Sequence, residues 1–155
     1  MKRASILAIS ICLIVVPVAY AQLDSDSAIQ LTRSAIQAER QAILAANLEL
    51  DEQESAIFWP LYQEYRDALE PVIGKRVELL KQYFASYETL TDNEAAALLE
   101  QRIAWEKEVL KVRSDFAKRM NKALSGKTVA RFFQIESKMD IIVEYELAGE
   151  VPLIK

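Results

Sequence analysis

Three observations predict an all-α fold. Glycine is confined to Gly74, Gly126 and Gly149, no strand-length stretch alternates apolar and polar residues, and Ala, Leu, Glu, Lys, Arg and Gln are abundant. Apolar residues recur instead at steps of three and four, which places them on one face of a helix. The expectation is four helices in antiparallel hairpins, with a long, kinked second helix.

Ahead of the helices stands "MKRASILAISICLIVVPVAYAQ", with Lys2 and Arg3, an apolar run from Ala4 to Val18, and Ala19-Tyr20-Ala21 before Gln22. These are the parts of a secretory signal peptide, so residues 1–21 are expected to be cleaved and the protein exported to the periplasm. The run is interrupted by Pro17 and falls short of the roughly 20 residues of a spanning helix, so the mature chain is expected to have no transmembrane span. Residues 22–155 then form a single helical domain with an extended tail at 150–155. Cleavage also removes Cys12, the one cysteine, so an exported chain must fold by packing without disulfides. Histidine is absent from the sequence, which takes away the commonest general base and the commonest metal ligand.

The first helix is expected from about Ser27 to Leu48, capped by Asp24 or Ser25, with Ile29, Ile36, Ile43 and Leu44 on one face. The second is expected from Glu52 to Tyr87. Its apolar positions are Ile57, Phe58, Leu61, Tyr62, Tyr65, Leu69, Val72, Ile73, Val77, Leu80 and Phe84, and their phase is unbroken across Pro60, Pro71 and Gly74. Proline in a helix interior removes a hydrogen bond and crowds the preceding turn, but the constant phase argues for one bent helix. Pro71 follows Pro60 by 11 residues, nearly three whole turns, so both kinks would bend it the same way. The third helix is expected from Asp92 to Leu124, with Leu98, Leu99, Ile103, Val109, Leu110, Phe116, Met120 and Leu124 inward, and Gly126 at the break. The fourth runs from Lys127 to Ala148, with Val129, Phe132, Phe133, Met139, Ile142 and Val143 inward, and Gly149 ends it.

Three helix starts share a form: Leu50-Asp51-x-x-Glu54, Leu90-Thr91-x-x-Glu94 and Leu124-Ser125-x-x-Thr128. The Asp, Thr or Ser oxygen accepts an N–H of the first turn, a Glu three residues on can return a bond to the cap, and the leucine packs over the turn.

These starts resemble the Leu-Thr-x-x-Gln motif of the Spy/CpxP-like periplasmic proteins. "LDEQE" and "LSGKT" occupy the places of two such motifs, with Asp51 and Ser125 for the threonine and Glu54 and Thr128 for the glutamine. The chain is also similar, over nearly the whole mature length, to a group of secreted proteobacterial helical proteins that share "NLELDEQESAIFWPLYQEY", "LTD", "ARFFQIESKMD" and a "YELA…PL" ending, a likeness that carries no activity with it. Spy/CpxP-like membership implies helical hairpins paired into a curved antiparallel homodimer whose concave face holds unfolded or stressed envelope proteins without ATP. The metal role of some members depends on histidines or similar ligands, and is not implied for a chain that has no histidine.

Candidate binding residues follow from chemistry and position. Phe58, Tyr62 and Tyr65 fall in phase with Ile57 and Leu61 and are expected in the core, whereas Trp59 and Trp105 lie at stripe edges and are candidates for an exposed or partner-facing role. Charge is uneven: residues 22–101 carry 6 Lys/Arg against 15 Asp/Glu, 102–138 carry 10 against 4, and 139–155 carry 1 against 4. Lys107, Lys111, Lys118 and Lys122 of the basic block could meet acidic clients, anionic headgroups or a second subunit, or simply complement the dipole at a helix end. Nucleic acid is not expected as a partner of an exported acidic chain. Glu136 falls on the apolar face of the fourth helix, where a lone carboxylate is costly, and is expected to pair with Arg113 or Arg102. Glu52 with Glu54, and Asp92 with Glu94, are explained by capping. With no triad, thiol or phosphate loop in view, the chain is expected to be no enzyme and to carry no cofactor and no dedicated metal site, although carboxylates bind hard cations weakly. The rival to a chaperone-like role is an envelope regulatory or assembly subunit that binds one folded partner.

Overall fold

The structure, a computed structural model, describes residues 38–154. The expected signal peptide, the start of the first helix with Ile29 and Ile36, and Lys155 lie outside the described residues. Helix α1 is described over 38–48, and α2 (Glu52–Ser86), α3 (Asp92–Met120) and α4 (Gly126–Glu150) follow. The fold is all-α.

Each helix start is set by its cap. The Asp51 side chain accepts the Glu54 N–H at 2.8 Å and Ser125 accepts that of Thr128 at 3.1 Å. Thr91 forms a full capping box, because Glu94 returns a bond to the Thr91 N–H at 2.8 Å. Glu54 makes no such return. Its carboxylate accepts instead from the Thr128 hydroxyl at 3.0 Å, which ties the start of α2 to the start of α4.

Contacts along the helices fix their directions. Glu54 meets Thr128, Phe58 meets Phe132, and Arg76 meets Glu144, so α2 and α4 run parallel. Glu64 pairs with Arg119 and Lys75 with Glu108, so α3 runs antiparallel to α2. Glu49 pairs with Arg131 while Arg40 reaches Glu136 and Asp140, so α1 opposes α4. Successive helices therefore alternate as antiparallel hairpins.

α2 is one helix from Glu52 onward, continuous through both prolines. Pro60 and Pro71 are exposed, as are Ala56 and Asp67, whose carbonyls lose their helical partners. Water can satisfy carbonyls on that face, so the prolines cost less there than they would in the core.

The core occupies the half of the bundle near these helix starts. Phe132 of α4 stands edge-on to Phe58, Tyr62 and Tyr65 of α2, with centroids 5.3, 6.0 and 5.5 Å away, and Phe116 of α3 meets Tyr65 at 5.6 Å. Leu44 and Leu48 of α1, with Met120, Leu124 and Val129, close this cluster.

Four expectations about ends are corrected. α3 stops at Met120 rather than Leu124, and Leu124 N–H bonds the Met120 carbonyl at 2.8 Å in a turn. Leu124 is buried by that turn, which is why it kept the helical phase. Gly126 is the first residue of α4, not the break, and Gly149 lies inside α4, whose last bond runs from Val151 N–H to the Leu147 carbonyl. The extended tail begins at Val151, one residue later than expected.

The apolar stripes are also corrected. Ile57, Ile73, Val77 and Phe84 of α2, Leu99, Ile103 and Leu110 of α3, and Ile142 and Val143 of α4 are exposed, not core. Beyond Met139 the inward face of α4 turns acidic, and the apolar core ends with it.

Glu49, between α1 and α2, has φ of 54°, the left-handed region that disfavours side chains. Its ion pair with Arg131 joins two largely exposed side chains and contributes little. Glu49→Gly is therefore expected to raise stability by about 1 kcal/mol, and Glu49→Val to lower it by a similar amount, as read from urea midpoints.

Candidate functional site

Two features stand out: a polar seam along α4, buried at Glu136 and opening toward Glu144, and the exposed apolar residues of the same half of the bundle. The seam is built on spacing. Glu136, Asp140 and Glu144 recur every four residues, so they share one face of α4. Arg40 of α1 donates Nη1 to Glu136 at 3.3 Å and Nη2 to Asp140 at 2.7 Å. Arg66 of α2 stands 3.9 Å from Glu136, Arg113 of α3 donates to Asp140, and Arg76 of α2 clasps Glu144 with two bonds, one of 2.6 Å. At the end of the row the Tyr83 hydroxyl donates to the Pro152 carbonyl at 2.6 Å, docking the tail.

Glu136 is the deepest member, 1% exposed. Burial pushes its carboxyl above the usual carboxylate range, although Arg40 and Arg66 act in the other direction. Its Oε1 and the Tyr62 hydroxyl have no protein hydrogen-bond partner, and the Tyr65 hydroxyl faces the Arg113 guanidinium. Burial, reinforced by the Glu136 charge, pushes both tyrosine hydroxyls up to about 12.

The expected ion pair of Glu136 is present, but its direct partners are Arg40 and Arg66. Arg113 acts on it from beside Asp140, and Arg102 is taken by Glu106 one turn along α3 at 2.8 Å. Arg40, Arg66, Asp140 and the Arg76–Glu144 pair were not singled out from the sequence. The four-residue spacing of the three acids was the available signal.

The tryptophans face the protein. Trp59 is half-buried, edge-on to Phe58 at 5.0 Å and to Tyr62 at 5.8 Å. Trp105 donates Nε1–H to the Val72 carbonyl at 2.9 Å, with the Arg76 and Arg102 guanidinium groups 4.9 and 5.2 Å from its ring centroid. Trp105 also lines a shallow cleft between α2 and α3, of about 410 Å³, with Leu79, Gln82, Gln101 and the exposed Lys75–Glu108 pair. The lysines do point outward: Lys107, Lys111, Lys118 and Lys122 are all exposed, and Lys111 is held by Asp115 at 2.7 Å. Leu50, Leu90 and Leu124 each sit inward of their caps, Leu124 most deeply.

Exposed apolar residues recur along α3 and in the last turns of α4 and the tail. Leu99 and Leu110 of α3 are 60% and 67% exposed, and Tyr145 of α4 is 81% exposed, with Ile141, Ile142, Leu153 and Ile154 also open to solvent. Among the described residues no group of acids is arranged to hold a metal ion. No described helix is long and apolar enough to cross a membrane. No known family pattern, curated protein or solved structure matches the chain.

Removing one partner of a buried pair costs more than removing its charge symmetrically. Arg40→Met, which leaves Glu136 with Arg66 and the more distant Arg113, is expected to cost about 3 kcal/mol, while Glu136→Gln, which strands Arg66 but removes a carboxylate whose charge burial already disfavours, is expected to cost less. A raised carboxyl favours the proton in the folded state, so lowering the pH relieves a penalty that Gln never has. Relative to the parent, Glu136→Gln therefore stands best at pH 7 and loses ground as pH falls toward the ordinary carboxylate range, measured by urea unfolding across that interval.

The tyrosines give the opposite limb. Unfolded tyrosine ionises near 10, so folded Tyr62 and Tyr65, held to about 12, contribute stability that is lost as pH rises through that interval. Tyr62→Phe with Tyr65→Phe is expected to fold, because both rings keep their places in the aromatic core and Arg113 keeps its bond to Asp140. The double variant should flatten the alkaline loss of stability seen in the parent.

Proposed function

We propose that the protein is a chaperone-like binding protein of the periplasm, which holds unfolded or stressed envelope proteins without ATP and works as a homodimer. The observation that carries this reading is the exposed apolar surface of α3, α4 and the tail. A helical hairpin protein of this size would ordinarily turn such residues inward, and unfolded chains are recognised by just such apolar contact. The capped helix starts that resemble the Leu-Thr-x-x-Gln motif support the same reading, and the signal peptide expected from the sequence supports its location. Nothing in the polar seam suggests a reaction: its acids are matched to arginines, and its role is to hold α4. The protein acts by binding.

Purified protein is expected to suppress the aggregation of a chemically unfolded model client, followed by light scattering, at up to several-fold excess and at low and moderate salt. Leu110→Asp and Tyr145→Asp together should weaken suppression without lowering the helical content measured by circular dichroism. Absence of suppression, together with one specific protein recovered by pull-down from an envelope extract, would favour the regulatory or assembly role instead.

A further inference from the structure

α1 is tied to the bundle differently from the other helices. Of its described residues only Leu44 and Leu48 are buried, whereas α2 buries Phe58, Tyr62, Tyr65, Leu69 and Val72. Its other anchor is polar: Arg40 reaches Glu136 at 3.3 Å and Asp140 at 2.7 Å. Arg40 and Arg66 both approach Oε2 of Glu136, so Oε1 is buried without a protein partner. Detaching α1 would return water to Arg40 and to the Glu136 carboxylate together, and hydration of both ions offsets most of the attraction lost. The joint is strained as well. Glu49, the residue after α1, holds φ of 54°, a left-handed conformation that a swing of α1 can release. Its pair with Arg131 is largely exposed and restrains the joint only weakly.

The other three helices are joined without α1. Trp105 Nε1–H donates to the Val72 carbonyl at 2.9 Å, the Thr128 hydroxyl donates to Glu54 at 3.0 Å, and Phe132 packs edge-on to Phe58, Tyr62 and Tyr65. An element with few buried apolar residues opens by itself while better packed elements stay folded. We propose that α1 is a clasp, which swings out about Glu49 while α2, α3 and α4 stay together, and that the aromatic cluster it uncovers is a second apolar surface for unfolded chains. Arg40 is its latch, and Leu44 and Leu48 are its cover over the cluster. The swing stands independently of the holding role proposed above, and the use of the uncovered surface rests on that role.

The test is native-state hydrogen exchange at low urea concentrations. The amides of residues 42–48 are expected to exchange at least about ten-fold faster than those of 62–69, and with a shallower dependence on urea, because only α1 becomes exposed. Arg40→Met strands Glu136 in the closed form alone, and should speed exchange in 42–48 at least about ten-fold. Leu44→Ala, which thins the cover, should act in the same direction and serves if Arg40→Met does not fold. Trp105→Phe weakens the α2–α3 contact in the closed and open forms equally, so it should speed exchange in α2 and α3 and leave 42–48 within about two-fold of the parent. Exchange of 42–48 with the same rate and urea dependence as 62–69, or acceleration of 42–48 by Trp105→Phe, overturns the clasp. Suppression of client aggregation is measured on the same proteins. Arg40→Met is expected to reach half-suppression at roughly half the concentration that the parent needs or less. An unchanged concentration overturns the use of the uncovered surface, whereas absence of suppression by every variant and the parent defeats the holding role, with the clasp decided by exchange alone.

Discussion

The described bundle depends on how α4 is held along its length, and the critical group is the carboxylate of Glu136. It lies where the aromatic core ends, one turn beyond Phe132, and it is almost wholly buried. A charge in that position is tolerable only if opposite charge surrounds it. Arginines from three other helices converge on the row that Glu136 begins: Arg40 from α1, Arg66 and Arg76 from α2, and Arg113 from α3. Each can reach only if its own helix is in register, so the row fixes the relative rotation and translation of the helices more tightly than aliphatic packing would. Its contribution to net stability is small, because desolvation offsets most of the attraction. What it contributes is a single arrangement.

The same constraint explains the long second helix. α2 supplies Phe58, Tyr62 and Tyr65 to the aromatic core, Arg66 and Arg76 to the seam, and Tyr83 to the tail, so it must run unbroken through all of them. Two prolines inside that helix are compatible with this because both lie on its outer side, where the carbonyls they orphan face water. Had either replaced Leu61 or Val72, the unpaired carbonyl would have been closer to the packed side.

Much of this was legible in the sequence for specific physical reasons. The helix starts were readable because capping is local chemistry, decided within four residues. The buried aromatics were readable from periodicity, and Glu136 from its position among apolar neighbours. What could not be read was which arginine would reach it, because ion pairing across helices depends on their rotation and spacing rather than on residues adjacent in sequence. The same limit accounts for Leu99, Ile103 and Leu110. Periodicity identified them as a stripe, but a stripe faces inward only if another helix covers it, and coverage is a tertiary fact. Trp59 and Trp105 are half-buried, as residues at stripe edges are, and their contacts come from their own or the adjacent helix.

An acidic inner face has a further consequence for the outer one. A helix with carboxylates at 136, 140 and 144 directed inward has spent its core-facing positions, so Ile141, Ile142 and Tyr145 fall to either side and remain in water. Simple amphipathic economy would have placed the apolar residues within and the acids without. Replacing the three acids by leucines and the four arginines by apolar residues would give a larger core and, by the precedent of buried ion networks, no loss of stability. The pairs made by Glu136, Asp140 and Glu144 accompany an orientation of α4 that leaves Ile141, Ile142 and Tyr145 in water, at the half of the bundle where binding is proposed.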